Sequence, residues 1–176
     1  MEPVELSGDL VAAEPLCADH AAGLLAAADA DEVFAWLPYG RPADLDQAGA
    51  WIDAALEDRN AHRRFPFAIL SAGDGGVVGS TSYWDFDAHN ASVEIGSTWL
   101  SRSLWGADHN AEAKLLLMTH AFEILELERV VFRTDILNER SQRAIEKLGA
   151  VKEGVHRHEI APSGWQLARQ RSLLVA

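Results

Sequence analysis

The segment from Ser92 to Gly149 constrains the fold most. It reads as a strand (Ser92 to Leu100), a glycine-bearing loop (Ser101 to His109), a long helix (Asn110 to Leu127), a second strand (Arg129 to Ile136) and a short helix opening at Asn138-Glu139-Arg140-Ser141. A strand feeding a loop that ends at a helix N-terminus gathers backbone N–H groups and the positive end of a helix dipole at one point. That arrangement suits a phosphate or pyrophosphate. Asn138 and Ser141, three residues apart, face the same way at the start of the second helix.

The rest of the chain reads as shorter pieces. Gly8 to Pro15 is a strand, Asp19 to Ala28 an alanine-rich helix with Asp19 as its cap, and Asp31 to Leu37 a further helical turn before Pro38. Asp44 to Ala61 is a helix, with Trp51, Ala55 and Leu56 near helical spacing. Phe67 to Ser71 and Val77 to Trp84 form a hairpin through Gly73-Asp74-Gly75-Gly76, and Asp87 to Asn90 is a second turn. Ala111, Leu115, Met118, Phe122 and Leu125 predict a buried stripe on the long helix. Strands Val151 to His158 and Arg169 to Val175 follow, joined through Pro162-Ser163-Gly164. Mostly antiparallel strands with one parallel crossover give an α+β architecture. With 176 residues and no internal linker, the expectation is a single domain over residues 1–176.

Composition narrows the partners. The net charge of −12 argues against nucleic acid and anionic membranes, and an acidic surface favours a cationic acceptor such as an amine. Solubility alone explains the same charge. One cysteine, Cys17, allows no disulfide framework, and no apolar run is long enough to span a bilayer. The N-terminus carries Glu2 and Glu5 and no basic, apolar leader, which predicts a cytoplasmic protein. His156 and His158 share a strand face without an acidic or thiol partner at ligand spacing, so no metal site is expected.

Glu94 stands between Val93 and Ile95, on the opposite strand face. A partly buried carboxylate there serves as a general base, directly or through a water; the competing reading is a salt-bridged acid on the outer face. Asn138 is also well suited to cap a helix.

The string Trp105-Gly106-Ala107-Asp108-His109-Asn110-Ala111-Glu112-Ala113-Lys114, with Asn138-Glu139-Arg140-Ser141 and Lys147-Leu148-Gly149-Ala150, resembles the GNAT superfamily of acetyl-CoA-dependent N-acetyltransferases, in its RimJ/RimL-like branch. The resemblance implies a mixed, mostly antiparallel sheet flanked by helices, in which two central parallel strands splay apart and CoA enters the wedge. It also implies direct acetyl transfer to a primary amine, that of a protein or peptide N-terminus. A small-molecule amine and a CoA-binding module without transferase activity are the rival readings. Acetyl-CoA is then the cosubstrate and a homodimer the expected assembly.

Residue by residue, the resemblance places the pyrophosphate at Trp105, Gly106, Ala107, Asp108, His109 and Asn110. Asp108 departs from the small residue usual there. The pantetheine arm pairs with the backbone of Trp99 and Leu100. Asn138 bonds CoA or the acceptor, and Ser141 lies near the sulfur as a proton donor. Arg102, Lys114, Arg140, Arg143 and Lys147 are the candidate cations that offset the phosphates; Arg143 and Lys147 reach the 3′-phosphate or the adenine, or else are solvated helix-face charges. Trp36, Tyr39, Trp84 and Trp165 are the candidate pocket aromatics.

Overall fold

The computed structural model describes residues 4–159 and 169–175. In chain order the elements are strands β1 (Leu6–Ser7) and β2 (Val11–Pro15), helices α1 (Ala21–Ala27) and α2 (Leu45–Asn60), then β3 (Arg64–Ser71), β4 (Val77–Asp87) and β5 (Ser92–Leu100). Helix α3 (His109–Thr119), β6 (Arg129–Asp135), α4 (Glu139–Glu146), β7 (Val151–Glu159) and β8 (Arg169–Val175) follow. The described strands form one eight-stranded sheet in the order β1-β2-β3-β4-β5-β6-β8-β7. Every neighbouring pair is antiparallel except β5 and β6. This is the α+β sheet expected, with one parallel pair at its centre.

Both faces of the sheet are covered. Alternate residues of β3 go to opposite sides: Phe67 joins Tyr83, Ile95, Leu117 and Phe132, whereas Ala68 joins Leu24, Ile52, Ala55 and Trp99. So α1 and α2 cover one face and α3 the other.

Local chemistry sets the element ends. Asp44 accepts the Gln47 N–H at 2.8 Å and Gln47 accepts the Ala43 N–H at 3.1 Å, which fixes the start of α2. In the hairpin Gly75 has φ +71°, a left-handed position that glycine takes without steric cost. Several expected bounds move. Gly8 turns the chain between β1 and β2, its N–H donating to the Val11 carbonyl, so the first strand is a small hairpin. Asp19 does not cap α1; a 3-10 turn at Ala18–His20 precedes the helix, opened by Cys17, whose N–H donates to His20 Nδ1. Strand β3 starts three residues early and takes in Pro66, whose carbonyl still accepts from Leu16. The connection Pro162-Ser163-Gly164 and Trp165 lie outside the described residues.

The stripe on α3 is also corrected. The buried line is Ala113, Leu117 and Ala121, while Ala111 and Leu115 face outward, Leu115 being 59% exposed. Beyond Thr119 the helix continues as a π turn at His120–Ile124, closed by the Leu125 N–H donating to the His120 carbonyl at 2.9 Å. Its extra residue breaks the regular phase, so Phe122 and Leu125, which pack against the core, do not continue the line of Ala111, Leu115 and Met118. The Tyr83 hydroxyl donates to the Leu117 carbonyl at 2.6 Å just before that turn.

Glu112 locks the start of α3 to the sheet edge. Its carboxylate accepts the backbone N–H groups of Asp9, Leu10 and Val11 at 3.0, 2.7 and 2.7 Å. Desolvation raises its pKa, but these bonds outweigh it and hold the group below its ordinary value of 4.5. A carboxylate with a depressed folded pKa stabilises above its unfolded pKa, and that contribution disappears as the pH falls through the folded value. Glu112→Gln is therefore expected to lower the unfolding free energy by about 1–3 kcal/mol at pH 7. In urea melts the gap from wild type should narrow as the pH falls below 4.5 and through the lowered folded pKa; a gap that persists unchanged in strong acid would disprove the linkage.

Candidate active site

Strands β5 and β6 pair only at Ser92↔Arg129, Val93↔Val130 and Glu94↔Val131. Beyond that point the facing edges of β5 and β6 part: β6 runs on to Asp135 with β8 on its other edge, and β5 runs on to Leu100 with no partner on that side. The splay opens a cleft of about 1480 Å³. Gly96, Ser97 and Thr98 of β5 line it, with Ser97 at φ +50° in a bulge against β4. The bulge turns this part of β5 out of regular pairing, so its backbone faces the open side.

Glu94 sits where the strands part and is 9% exposed. Its carboxylate forms an ion pair with Arg133 Nη1, and Arg133 Nη1 also bonds Asp85 at 3.0 Å. The carboxylate lies over Gly96: a Cβ there would come 2.9 Å from Glu94 Oε1, so a larger residue would push the carboxylate aside. Glu94 thus combines both sequence readings, being buried at the cleft and ion-paired at once. Lys114 lines the cleft as well. It points inward from α3, 6% exposed, with Nζ 2.5 Å from Thr98 Oγ1 and 5.4 Å from the Phe132 ring centroid. Desolvation lowers its pKa to about 7, against the pull of the Glu94 charge. It is a buried neighbour of Glu94.

The loop before α3 is braced from the far side. Asp29 accepts the Ser101 hydroxyl at 2.5 Å and the Arg102 and Ser103 N–H groups at 2.7 and 3.3 Å. The Trp105 and Ala107 N–H groups donate to the Arg102 and Leu104 carbonyls. The N–H groups of Gly106, Asp108, His109 and Asn110 take no part in the loop's own bonds, and the last two belong to the first turn of α3. Gly106 has φ +86°, with nothing within 4 Å of where a Cβ would sit. Asp108 is exposed and makes no side-chain cap bond. Trp105 is stacked between two cations, with Arg140 Cζ 3.1 Å and Arg102 Cζ 4.5 Å from its ring centroid.

On α4, Asn138 is buried and caps the helix, accepting the Ser141 N–H at 3.1 Å. Both side chains line the cleft, as do Arg143 and Lys147; Arg143 is bridged to Glu139 at 3.0 Å. Of the cofactor positions expected from sequence, Trp99, Leu100, Trp105, Gly106, Ala107, Asp108 and Asn110 line the cleft and His109 does not. Trp36, Tyr39 and Trp84 line it too, but sequence reading missed Trp51 and Arg64 beside them. Trp51 reads as an ordinary core residue of an amphipathic helix, and Arg64 precedes the strand as it was delimited. Among the described residues no group of three or more His, Cys, Asp and Glu could hold a metal, and no helix is long and apolar enough to cross a membrane.

The family model for the acetyltransferase (GNAT) domain matches residues 12–151. The chain belongs to the GNAT acetyltransferases. Members of this family use acetyl-CoA, and the splayed pair, the glycine loop and the cleft fit such a ligand. A GCN5-related N-acetyltransferase from Brucella melitensis superposes with a TM-score of 0.91 at 27% identity, over 100% of this chain and 79% of that one. A structure from T. thermophilus, provisionally named an acetyltransferase, gives a TM-score of 0.85 at 35% identity, over 99% and 89%. YdaF of Bacillus subtilis, provisionally named a ribosomal N-acetyltransferase, is 34% identical over 91 residues, 52% of this chain and 49% of that protein. The chain thus spans about half the length of this curated relative. These relatives accord with the RimJ/RimL-like branch.

Proposed function

We propose that this GNAT protein transfers acetyl directly from acetyl-CoA to a primary amine, that of a protein or peptide N-terminus. The observation that carries this reading is the parting of β5 and β6 at Glu94, opposite a loop with unused backbone donors. The provisional name of YdaF supports a protein acceptor.

Acetyl-CoA, when bound, supplies the thioester carbon that the amine attacks. The N–H groups of Gly106, Asp108, His109 and Asn110 hold its pyrophosphate, with the α3 dipole behind them. Arg102, Arg140, Arg143 and Lys147 supply positive charge that the acidic chain otherwise lacks. The edge of β5 that β6 leaves unpaired, at Trp99 and Leu100, orients the pantetheine arm. Glu94, directly or through a water, takes the proton of the attacking amine. Asn138 fixes the start of α4 and so the place of Ser141, whose hydroxyl gives a proton to the departing sulfur. The chain acts in the cytoplasm as one acetyltransferase domain over residues 1–176 and assembles as a homodimer.

Release of free thiol from acetyl-CoA, measured across a panel of amines and peptides, tests the reading. Amine-dependent release, with the acetylated peptide N-terminus found by mass spectrometry, is the expected result. CoA binding with no release on any acceptor would make this a CoA-binding module instead.

A further inference from the structure

One wall of the cleft carries polar atoms that the reaction above does not use. Arg64, Trp84, Glu94 and Val131 stand in register across β3, β4, β5 and β6. Register partners share a face of the sheet, and two strand spacings put Arg64 about 10 Å from Glu94 along this row. Arg64 is 4% exposed. Its Nε donates to Ser82 Oγ at 2.8 Å, and its guanidinium carbon lies 5.4 Å and 5.0 Å from the ring centroids of Trp51 and Trp84. Its Nη2 is buried without a partner. It forms no salt bridge with a described carboxylate. The acid whose charge reaches it, Asp58, is held by Arg63 at 2.9 and 2.6 Å.

Trp99 Nε1 is also buried and unpartnered, whereas the Tyr39 hydroxyl sits among the polar groups of Trp51, Ser97 and Arg64. Tyr39, Trp51 and Trp99 belong to one cluster, with Tyr39 and Trp51 centroids 5.4 Å apart and Trp51 and Trp99 6.5 Å apart. All three line the cleft with Arg64. Burial pulls the Arg64 pKa down and pushes the Tyr39 pKa up, the latter against the opposing pull of Arg64, Trp51 and Ser97.

Buried polar groups nearly always find partners, because an unsatisfied one loses its hydration without return. A buried guanidinium with an open Nη2 and no carboxylate partner, near an open indole N–H at a cleft wall, calls for a ligand group. The chemistry of that group follows from the donors. Arginine and tryptophan N–H groups donate only, so the group must accept. The aromatic faces of Trp51 and Trp84 are already taken by the guanidinium, which leaves no cage for a cation. A guanidinium without a counter-ion favours a carboxylate over a neutral carbonyl.

We propose that this wall, made by Arg64, Trp51, Trp99 and Tyr39, anchors a carboxylate carried by the amine acceptor. The inference rests on the acetyl-transfer reading and names the class of acceptor within it. The carboxylate is either the side chain of an acidic first residue in a peptide or the α-carboxylate of a free amino acid. The same anchor places the amine toward Glu94, two strands away.

Matched acceptors test it. Peptides beginning with Glu or Gln form one pair, and a free amino acid and its amide form the other. The carboxylate member of one pair is expected to show at least a tenfold higher kcat/KM, and that pair identifies the source. Arg64→Gln should bring the ratio within about twofold. Trp51→Phe keeps the ring but removes one donor, and it should lower the ratio severalfold even if Arg64→Gln fails to fold. Equal rates within both pairs for the wild-type protein would overturn the inference while leaving acetyl transfer intact. If no acceptor releases thiol, the transfer reading fails, and tryptophan fluorescence decides the carboxylate site separately. Quenching by the carboxylate member alone, lost in Trp51→Phe, supports the site; no quenching by either member overturns it.

Discussion

Replacing Glu94 by Gln is expected to lower turnover about 100- to 10,000-fold and to remove the fall in rate at low pH. Glutamine keeps the shape and can still accept a bond from Arg133, but it cannot take a proton. Arg133 keeps its second partner, Asp85, at 3.0 Å, so the change does not strand a buried cation. The loss should appear in kcat/KM for a good acceptor while CoA affinity stays near wild type. Lys114 is the competing proton acceptor, since burial brings its pKa to about 7 while the Glu94 charge opposes that shift. The two candidates respond in opposite ways. Removing the Glu94 charge shifts Lys114 further toward its neutral form, so a Lys114 base would hold or raise the low-pH rate in Glu94→Gln. Lys114→Met would then carry the large loss instead. A pH–rate profile of Glu94→Gln that matches wild type sinks the assignment and returns Glu94 to an ion-pair partner of Arg133.

The sequence makes the frame of this site readable for a physical reason. Strand β5 alternates and ends at a glycine loop, and α2 carries Asp44 and Gln47 at capping spacing; such signals are local. The parallel pair follows from a crossover that a helix of this length requires. Long-range pairings leave no such trace. Nothing near Glu112 says that it reaches back about 100 residues to three N–H groups in the Asp9–Val11 turn, and nothing near Asp29 says that it braces the loop after β5. Lys114 looks like any helix-face cation until the fold turns it under Glu94. The break in phase after Thr119 is hidden too, because the π turn is closed by a backbone bond that side-chain periodicity does not report. On the acceptor side, Arg64 and Trp51 become neighbours only when α2 packs on β3.

A valine at Gly106 is expected to weaken CoA binding at least a hundredfold and to leave the fold standing. Two effects act together there. At φ +86° a β-branched residue is strongly disfavoured, so the loop must change its backbone to accept it. That change moves the Gly106 N–H and the approach to Asp108, His109 and Asn110, the donors assigned to the pyrophosphate. Space is not the obstacle, since nothing lies within 4 Å of the added Cβ in the ligand-free loop. The core should not feel the change, because residue 106 is exposed and Asp29 holds the loop at residues 101–103. Gly106→Ala separates the two effects. It carries the milder backbone penalty and a smaller side chain, so its loss of affinity should be intermediate. Calorimetric titration with CoA reads the affinity, and thermal melts without ligand read the fold. A Gly106→Val protein that melts like wild type and binds CoA equally well would place the pyrophosphate elsewhere in the cleft.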